Sequence, residues 1–226
     1  MEISPNAVID VGVFVIVSFG NPVDGWTSSG GSPDQTEIRQ ALHDLEKNIG
    51  HIESIQAKFI QIKKMKLFKH EIELSGSFYL QKPDHFAWHT HSPIEHAIVF
   101  KNNKVLQWNH ETDRVDVISF KDMPVLRTIV EQMQSWFYGS YLSLLDEYKI
   151  EIISNAPLRI CFIPNEHSFY LKMLEHVVIQ FNQEQSAIDS IEVKEKSGDM
   201  SIFHFKETLI NKEIDPSVWE ILSRAS

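Results

Sequence analysis

SGSFYLQKPDHFAWHT, residues 75–90, reads as two strands and the bend between them. Phe78 and Leu80 alternate with Ser77, Tyr79 and Gln81, which puts one set of side chains on each face of a sheet. Pro83 cannot donate to a strand ladder and Asp84 is a turn former, so the first strand is expected to stop there. Phe86 and Trp88 then resume the period of two, with Ala87 and His89 on the other face. Gly76 sits where a strand can bend or another backbone can come close. The expected product is a hairpin with large aromatic groups on one side and Lys82 at its corner.

Outward from this hairpin the pattern repeats. Upstream, Ile55, Ala57 and Phe59 share a period of two. Downstream, the strands 94–100, 105–109 and 115–120 are separated by turn signals at Asn102-Asn103 and around His110 to Asp113, the spacing of an antiparallel meander. Residues 122–148 break that rhythm. Met123, Leu126, Ile129, Val130, Met133, Trp136 and Phe137 fall three or four apart and make one broad apolar helical face. Gly139 interrupts it and a second short helix follows. Strands are expected again at 150–154, 158–163, 176–181, 187–195 and 200–209, with a short helix near 168–174. Before the first strand, Ile38, Leu42, Leu45 and Ile49 mark a helix that Asp34 could cap. The fold class is therefore α+β, mainly antiparallel β: about eleven strands with helices on one side, in a strongly curved sheet that need not close fully. An open sheet of that size must curl to bury its apolar face.

The chain has 226 residues, 42% of them apolar and 23% charged, so it is globular and long enough for a sizeable core. Its formal net charge of −10 argues against nucleic acid and against a polybasic attachment to anionic lipid. Cys161 is the only cysteine, so there is no intrachain disulfide, and its apolar surroundings predict an inert buried thiol. His85, His89, His91 and His96 fall within twelve residues, but no HExxH or paired base accompanies them, and neither metal nor cofactor is expected. No nucleophilic triad spacing or phosphate loop is present, which argues against an enzyme. Residues 1–33 form a separate segment. Its run VGVFVIVSF, residues 11–19, has the length of an export-signal core but no basic flank before it, so a signal and a loosely packed tail are both open readings.

Several of these residues together resemble the periplasmic outer-membrane lipoprotein carrier family LolA. The matching features are F-x-Q at 59–61, the run SGSFYLQKPDHFAWHT, then AIVF, NNK and VLQW, with the helical insertion after the sixth strand. Coverage runs over about 34–215, leaving 216–226 as a C-terminal tail. The resemblance implies an incomplete, half-open β-barrel of about eleven strands with a helical lid, and a carrier, not an enzyme, in the periplasm of a Gram-negative bacterium. It would take lipidated proteins from an inner-membrane releasing complex to an outer-membrane acceptor, as a monomer. A carrier of free lipid or glycolipid, as in an aryl-polyene pathway, and a lipoprotein-sensing module are the alternatives. The implied acyl-chain cavity is a vacant trough lined by Phe59, Phe78, Leu80, Phe86, Trp88, Ile98 and Leu106 on the sheet and Leu126, Val130, Met133 and Phe137 on the lid. The family's lid-tethering basic residue before the proline is here Lys82, a point charge without the planar donor fork of arginine. Such a cargo has a physical requirement of its own. A sixteen-carbon chain exposes about fifteen methylenes at roughly 0.8 kcal/mol each, so about 12 kcal/mol opposes its passage through water.

Overall fold

The computed structural model describes residues 35–121 and 124–221, without the side chains of 124–126 and Ile129. The expectations for residues 1–33, the Asp34 cap, Met123 and the side chains of Leu126 and Ile129 lie outside the described residues. The first helix, α1 (Gln35–Ile49), buries Ile38, Leu42, Leu45 and Ile49 along one stripe. Six strands follow: β1 (Ser54–Lys64), β2 (Ile72–Gln81), β3 (His85–Ser92), β4 (His96–Lys101), β5 (Lys104–Asn109) and β6 (Arg114–Ser119). Then come α2 (Pro124–Tyr138) and a short 3₁₀ helix, Leu142–Asp146. The last strands are β7 (Tyr148–Asn155), β8 (Leu158–Pro164), β9 (Leu174–Phe181), β10 (Ile188–Glu195) and β11 (Met200–Ile210). A 3₁₀ turn, Phe169–Lys172, stands between β8 and β9, and another, Pro216–Trp219, follows β11.

All eleven strands form one antiparallel sheet in the order β6-β5-β4-β3-β2-β1-β11-β10-β9-β8-β7. Two meanders are thus joined through β1 and β11, with Phe59 opposite Phe205 and Gln61 opposite Phe203. The edges β6 and β7 do not pair, so the sheet curls without closing. This order places the lid. The chain leaves the sheet at one free edge and re-enters at the other, so the segment between β6 and β7 must cross the open side. An amphipathic segment making that crossing lays its apolar face on the sheet. Val130, Met133, Trp136 and Phe137 of α2 are buried in the same core as Phe59, Phe78, Trp88 and Phe205.

Gly139, with φ of +78°, ends α2 directly over α1, where a Cβ would come within 2.9 Å of the Ile49 side chain. The Glu46 carboxylate on α1 accepts from the Leu142 backbone N–H at 2.7 Å, tying the two helical segments together.

The convex face carries a second, smaller cluster of Ala87, Val99, Ile214 and Trp219, joined by Tyr79, Leu106, Val218 and Ile221. The expectation of a tail from 216 onward is corrected here. Pro216–Trp219 starts from Asp215, whose side chain accepts from the Ser217 N–H, and seats Trp219 on β3 and β4. Its indole and the neighbouring aliphatic groups cover apolar sheet surface that would otherwise face water, which is why the segment packs. Residues 222–226 lie outside the described part.

Candidate functional site

The concave face is built by the alternation expected from the sequence, carried across five strands by register. Phe86 pairs with Leu80 on β2 and Phe100 on β4, and Trp88 with Phe78 and Ile98. Phe78 is the hub. Its ring centre lies 5.6 Å from Phe86, 5.7 Å from Trp88, 5.6 Å from Phe205 and 4.6 Å from Phe137 on α2. Trp88 also packs 4.0 Å from Phe59 and edge-on to Phe203 at 5.5 Å. Of the expected lining, Phe59, Phe78, Leu80, Phe86, Trp88, Ile98, Val130, Met133 and Phe137 all lie together in this core.

One expectation is corrected. Leu106 belongs to the convex cluster, not to the concave face. It pairs with Val99, whose side chain also points outward, and its neighbour Val105 takes the inner position opposite Phe100. Hydrophobicity alone misplaces it, because the two adjacent apolar residues of VLQW leave the inward one undecided. Val130, Met133, Trp136 and Phe137 of α2 pack against the sheet, and the apolar void beside Phe137, walled by Ile49, Ile52, Ile55 and Phe205, measures about 10 Å³. That is room for a single water.

The sequence reading also missed the second wing. Phe203 and Phe205 of β11 face the same core as Trp88 and Phe78, and Phe162, Phe181 and Ile191 continue the apolar surface on β8 to β10. The signal was present, since Phe203 and Phe205 alternate around His204 as Phe86 and Trp88 do around Ala87.

Lys82 stands at the rim beside the C-terminal end of α2. Its Nζ lies 3.1 Å from the Glu53 carboxylate and 4.9 Å from the centre of the Tyr138 ring, the last residue of α2. Burial, with Glu53 nearby, pushes the Tyr138 hydroxyl well above the usual phenol range, so its ring remains neutral. One turn earlier, Gln134 Nε2 donates to the Pro83 carbonyl oxygen at 3.2 Å. The contact between hairpin corner and lid thus uses a ring face and a glutamine, with Lys82 itself bonded to a carboxylate. At the other side of the lid, the Tyr170 hydroxyl donates to the Thr128 carbonyl at 3.2 Å and Tyr148 to Gln132 Oε1 at 3.2 Å.

The four histidines do not converge. His85, His89 and His91 follow Ala87 onto the convex side of β3, where His85 packs against Trp219 and Ser77 Oγ lies 3.0 Å from His91 Nε2. His96 faces the opposite way, in register with Thr90. Among the described residues no three His, Cys, Asp or Glu side chains are grouped as metal ligands. The Cys161 thiol is pushed up to about 12 by burial, with Glu151 and Glu192 adding to the effect.

Burial lowers His89 from 6.5 to about 4, His91 adds to the shift, and the Val218 backbone partly offsets it. The unfolded chain therefore binds this proton more readily than the folded one. Stability should fall as pH drops from about 6.5 towards 4, by on the order of 2–3 kcal/mol from this group. Urea unfolding of His89→Gln at several pH values should show a flatter profile over that window. An unchanged slope would assign the acid sensitivity elsewhere.

An unclosed antiparallel sheet whose apolar hollow is covered by a helix joining its two free edges defines a class of lidded half-barrels. Residues 50–221 match the family described as outer membrane lipoprotein carrier protein LolA. The chain belongs to that family. It is 24% identical over 177 residues to an outer-membrane lipoprotein carrier protein of Alkalilimnicola ehrlichii, covering 78% of this chain and 77% of the relative. A carrier of the same description from Legionella pneumophila is 35% identical over 74 residues, 32% of this chain and 36% of that one. The fold is shared with an uncharacterized conserved protein from Thermus thermophilus, with a TM-score of 0.52, 9% identity and coverage of 83% of this chain and 96% of that one.

Proposed function

We propose that this protein is a non-enzymatic periplasmic carrier that shelters the acyl chains of lipidated proteins. It would receive them from an inner-membrane releasing complex and pass them to an outer-membrane acceptor. The observation that carries this reading is that α2 covers the concave face with apolar side chains of its own. Lifting the helix exposes Phe78, Phe86, Trp88, Phe203 and Phe205, and only an apolar guest can replace what was lost. The magnitudes match. Burying four side chains of the kind of Val130, Met133, Trp136 and Phe137 stabilises by roughly 6–12 kcal/mol, close to the transfer free energy of a sixteen-carbon chain. Lid and cargo can therefore exchange with a small net change, which a carrier that both loads and unloads requires.

Quenching by a brominated triacyl lipopeptide tests this reading. Trp88 and Trp136 lie in the concave core, whereas Trp219 lies in the convex cluster. In a variant with Trp26, Trp108 and Trp219 changed to Phe, the lipopeptide should quench most of the remaining emission. In the converse variant, with Trp88 and Trp136 changed to Phe, it should quench little. Equal quenching in both, or none in either, would defeat the reading. A brominated phospholipid run in parallel separates a lipoprotein carrier from a carrier of free lipid.

Lys82 and Gln134 are proposed to hold the lid shut from the hairpin corner. The Lys82 cation–π contact with Tyr138 on the lid is worth about 0.5–1 kcal/mol. Lys82→Leu should accordingly speed amide exchange in α2 by roughly two- to fivefold and leave β1 unaffected. Identical exchange in α2 would remove Lys82 from that role.

A further inference from the structure

The antiparallel register gathers several connections at one end of the sheet. Lys63 pairs with Ile72 and Lys64 with Met200, so the β1–β2 loop and the β10–β11 turn are neighbours. Ser75 pairs with Ser92 and Glu195 with Leu174, which brings the β3–β4 loop and the turn Phe169–Lys172 to the same end. This end is unusually apolar for a surface. Five of the eight exposed large hydrophobic residues among those described lie here: Leu67, Phe68, Ile72, Ile94 and Phe169. Leu67 is 90% and Phe68 58% exposed, at the tip of the loop.

The same tip is basic in an acidic protein. Lys63, Lys64, Lys66, Lys69 and His70 fall within eight positions that contain no carboxylate, while the whole chain carries a formal charge of −10. Lys194 adds its charge from β10, where it donates to the Gly198 carbonyl at 2.9 Å. Of the acids beside this loop, Glu71 pairs with Lys64 at 2.8 Å, Asp199 accepts from the Lys66 backbone N–H at 2.8 Å and Glu195 from Ser197 Oγ at 3.2 Å. The Asp199 bond also ties the loop to the neighbouring turn, so its tip is presented from an anchored base. Between these loops lies a surface hollow of about 370 Å³ walled by Lys64, Lys66, Phe68, Lys69, His70 and Lys194.

We infer that this end of the half-barrel docks on an anionic phospholipid surface, with Leu67 and Phe68 entering the interface and the surrounding lysines meeting lipid phosphates. Apolar groups that enter the headgroup boundary and cations that meet anionic lipid act together in interfacial binding. The overall charge of −10, which on composition alone argues against a polybasic attachment, does not describe this local surface, and the acyl-cargo reading does not bear on it, so it can be tested with the cargo-free protein.

Flotation of the full chain with vesicles provides the test. It should float with vesicles of phosphatidylcholine and phosphatidylglycerol, not with phosphatidylcholine alone, and added salt should release it. Leu67→Ser with Phe68→Ser should weaken binding by on the order of tenfold, and Lys66→Gln or Lys69→Gln by roughly fivefold each. Because these side chains are exposed, circular dichroism should show all variants folded. Absence of vesicle binding, equal binding to both vesicle types, or full binding by the Leu67/Phe68 variant would overturn the inference. So would binding to native inner-membrane vesicles that protease treatment abolishes, an outcome that assigns the loop to a protein partner.

Discussion

Phe137→Ala should unfold more easily than the wild-type protein and yet bind an acyl chain more tightly. Phe137 is buried in the core cluster, with its ring 4.6 Å from Phe78 and 5.4 Å from Phe205. Truncating a phenylalanine so placed costs about 3–5 kcal/mol, through lost transfer free energy and the cavity left behind. That cavity opens beside the existing void of about 10 Å³ and is walled by Phe78, Phe205, Ile49 and Ile52. An apolar hollow of this kind stays dry and accepts an apolar guest. If three or four methylenes of an acyl chain occupy it, each contributing roughly 0.8 kcal/mol, affinity rises by about two orders of magnitude. Thermal unfolding and titration with a fluorescent acyl probe measure the two effects on one sample. A variant with lowered Tm and unchanged or weaker probe affinity would show that the cargo does not take the place of the lid.

The second large effect falls on Gly76. A Cβ built there runs into the His89 carbonyl oxygen across the β2–β3 pair and stands 2.7 Å from the Phe59 ring. The ring can turn, but a backbone oxygen held in the ladder cannot retreat without separating the strands. Gly76→Val should therefore cost about 3 kcal/mol or more, at or beyond the upper end for overpacked sites. Against a total stability of about 5–15 kcal/mol, that is enough to leave much of the protein unfolded at growth temperature. Equilibrium denaturation and the soluble yield of the variant check this. A loss below about 1 kcal/mol would mean that β2 and β3 are not held as closely as their register indicates.

Much of this architecture was legible in the chain because its cues are local. The alternation around Pro83 places Phe78, Leu80, Phe86 and Trp88 on one face whatever the neighbours are, since adjacent residues of a strand point to opposite sides. The three-four spacing of Val130, Met133, Trp136 and Phe137 likewise specifies an apolar helical stripe. Where two apolar residues stand side by side, as at Val105 and Leu106, the inward one is decided only by pairing with Phe100. Whether a stripe and a face enclose a vacant trough or fill it depends on the volumes they bring together from distant parts of the chain, and no local pattern records that. The same holds for Trp219, whose partners Ala87 and Val99 lie far away in the sequence.

The surface at the loop end illustrates the same division. Composition reports a charge of −10 for the whole, which hides a tip where four lysines and a histidine surround Leu67 and Phe68. By itself, the sequence determined the strands, the helices, the family and the aromatic side of the sheet, because backbone sterics and side-chain periodicity act within a few residues. The tertiary structure alone decided that β1 pairs with β11, that Val130, Met133, Trp136 and Phe137 of α2 pack against the concave face, and that five exposed apolar residues gather at one end. Those outcomes come from long-range register and from packing volumes, which exist only once distant segments touch.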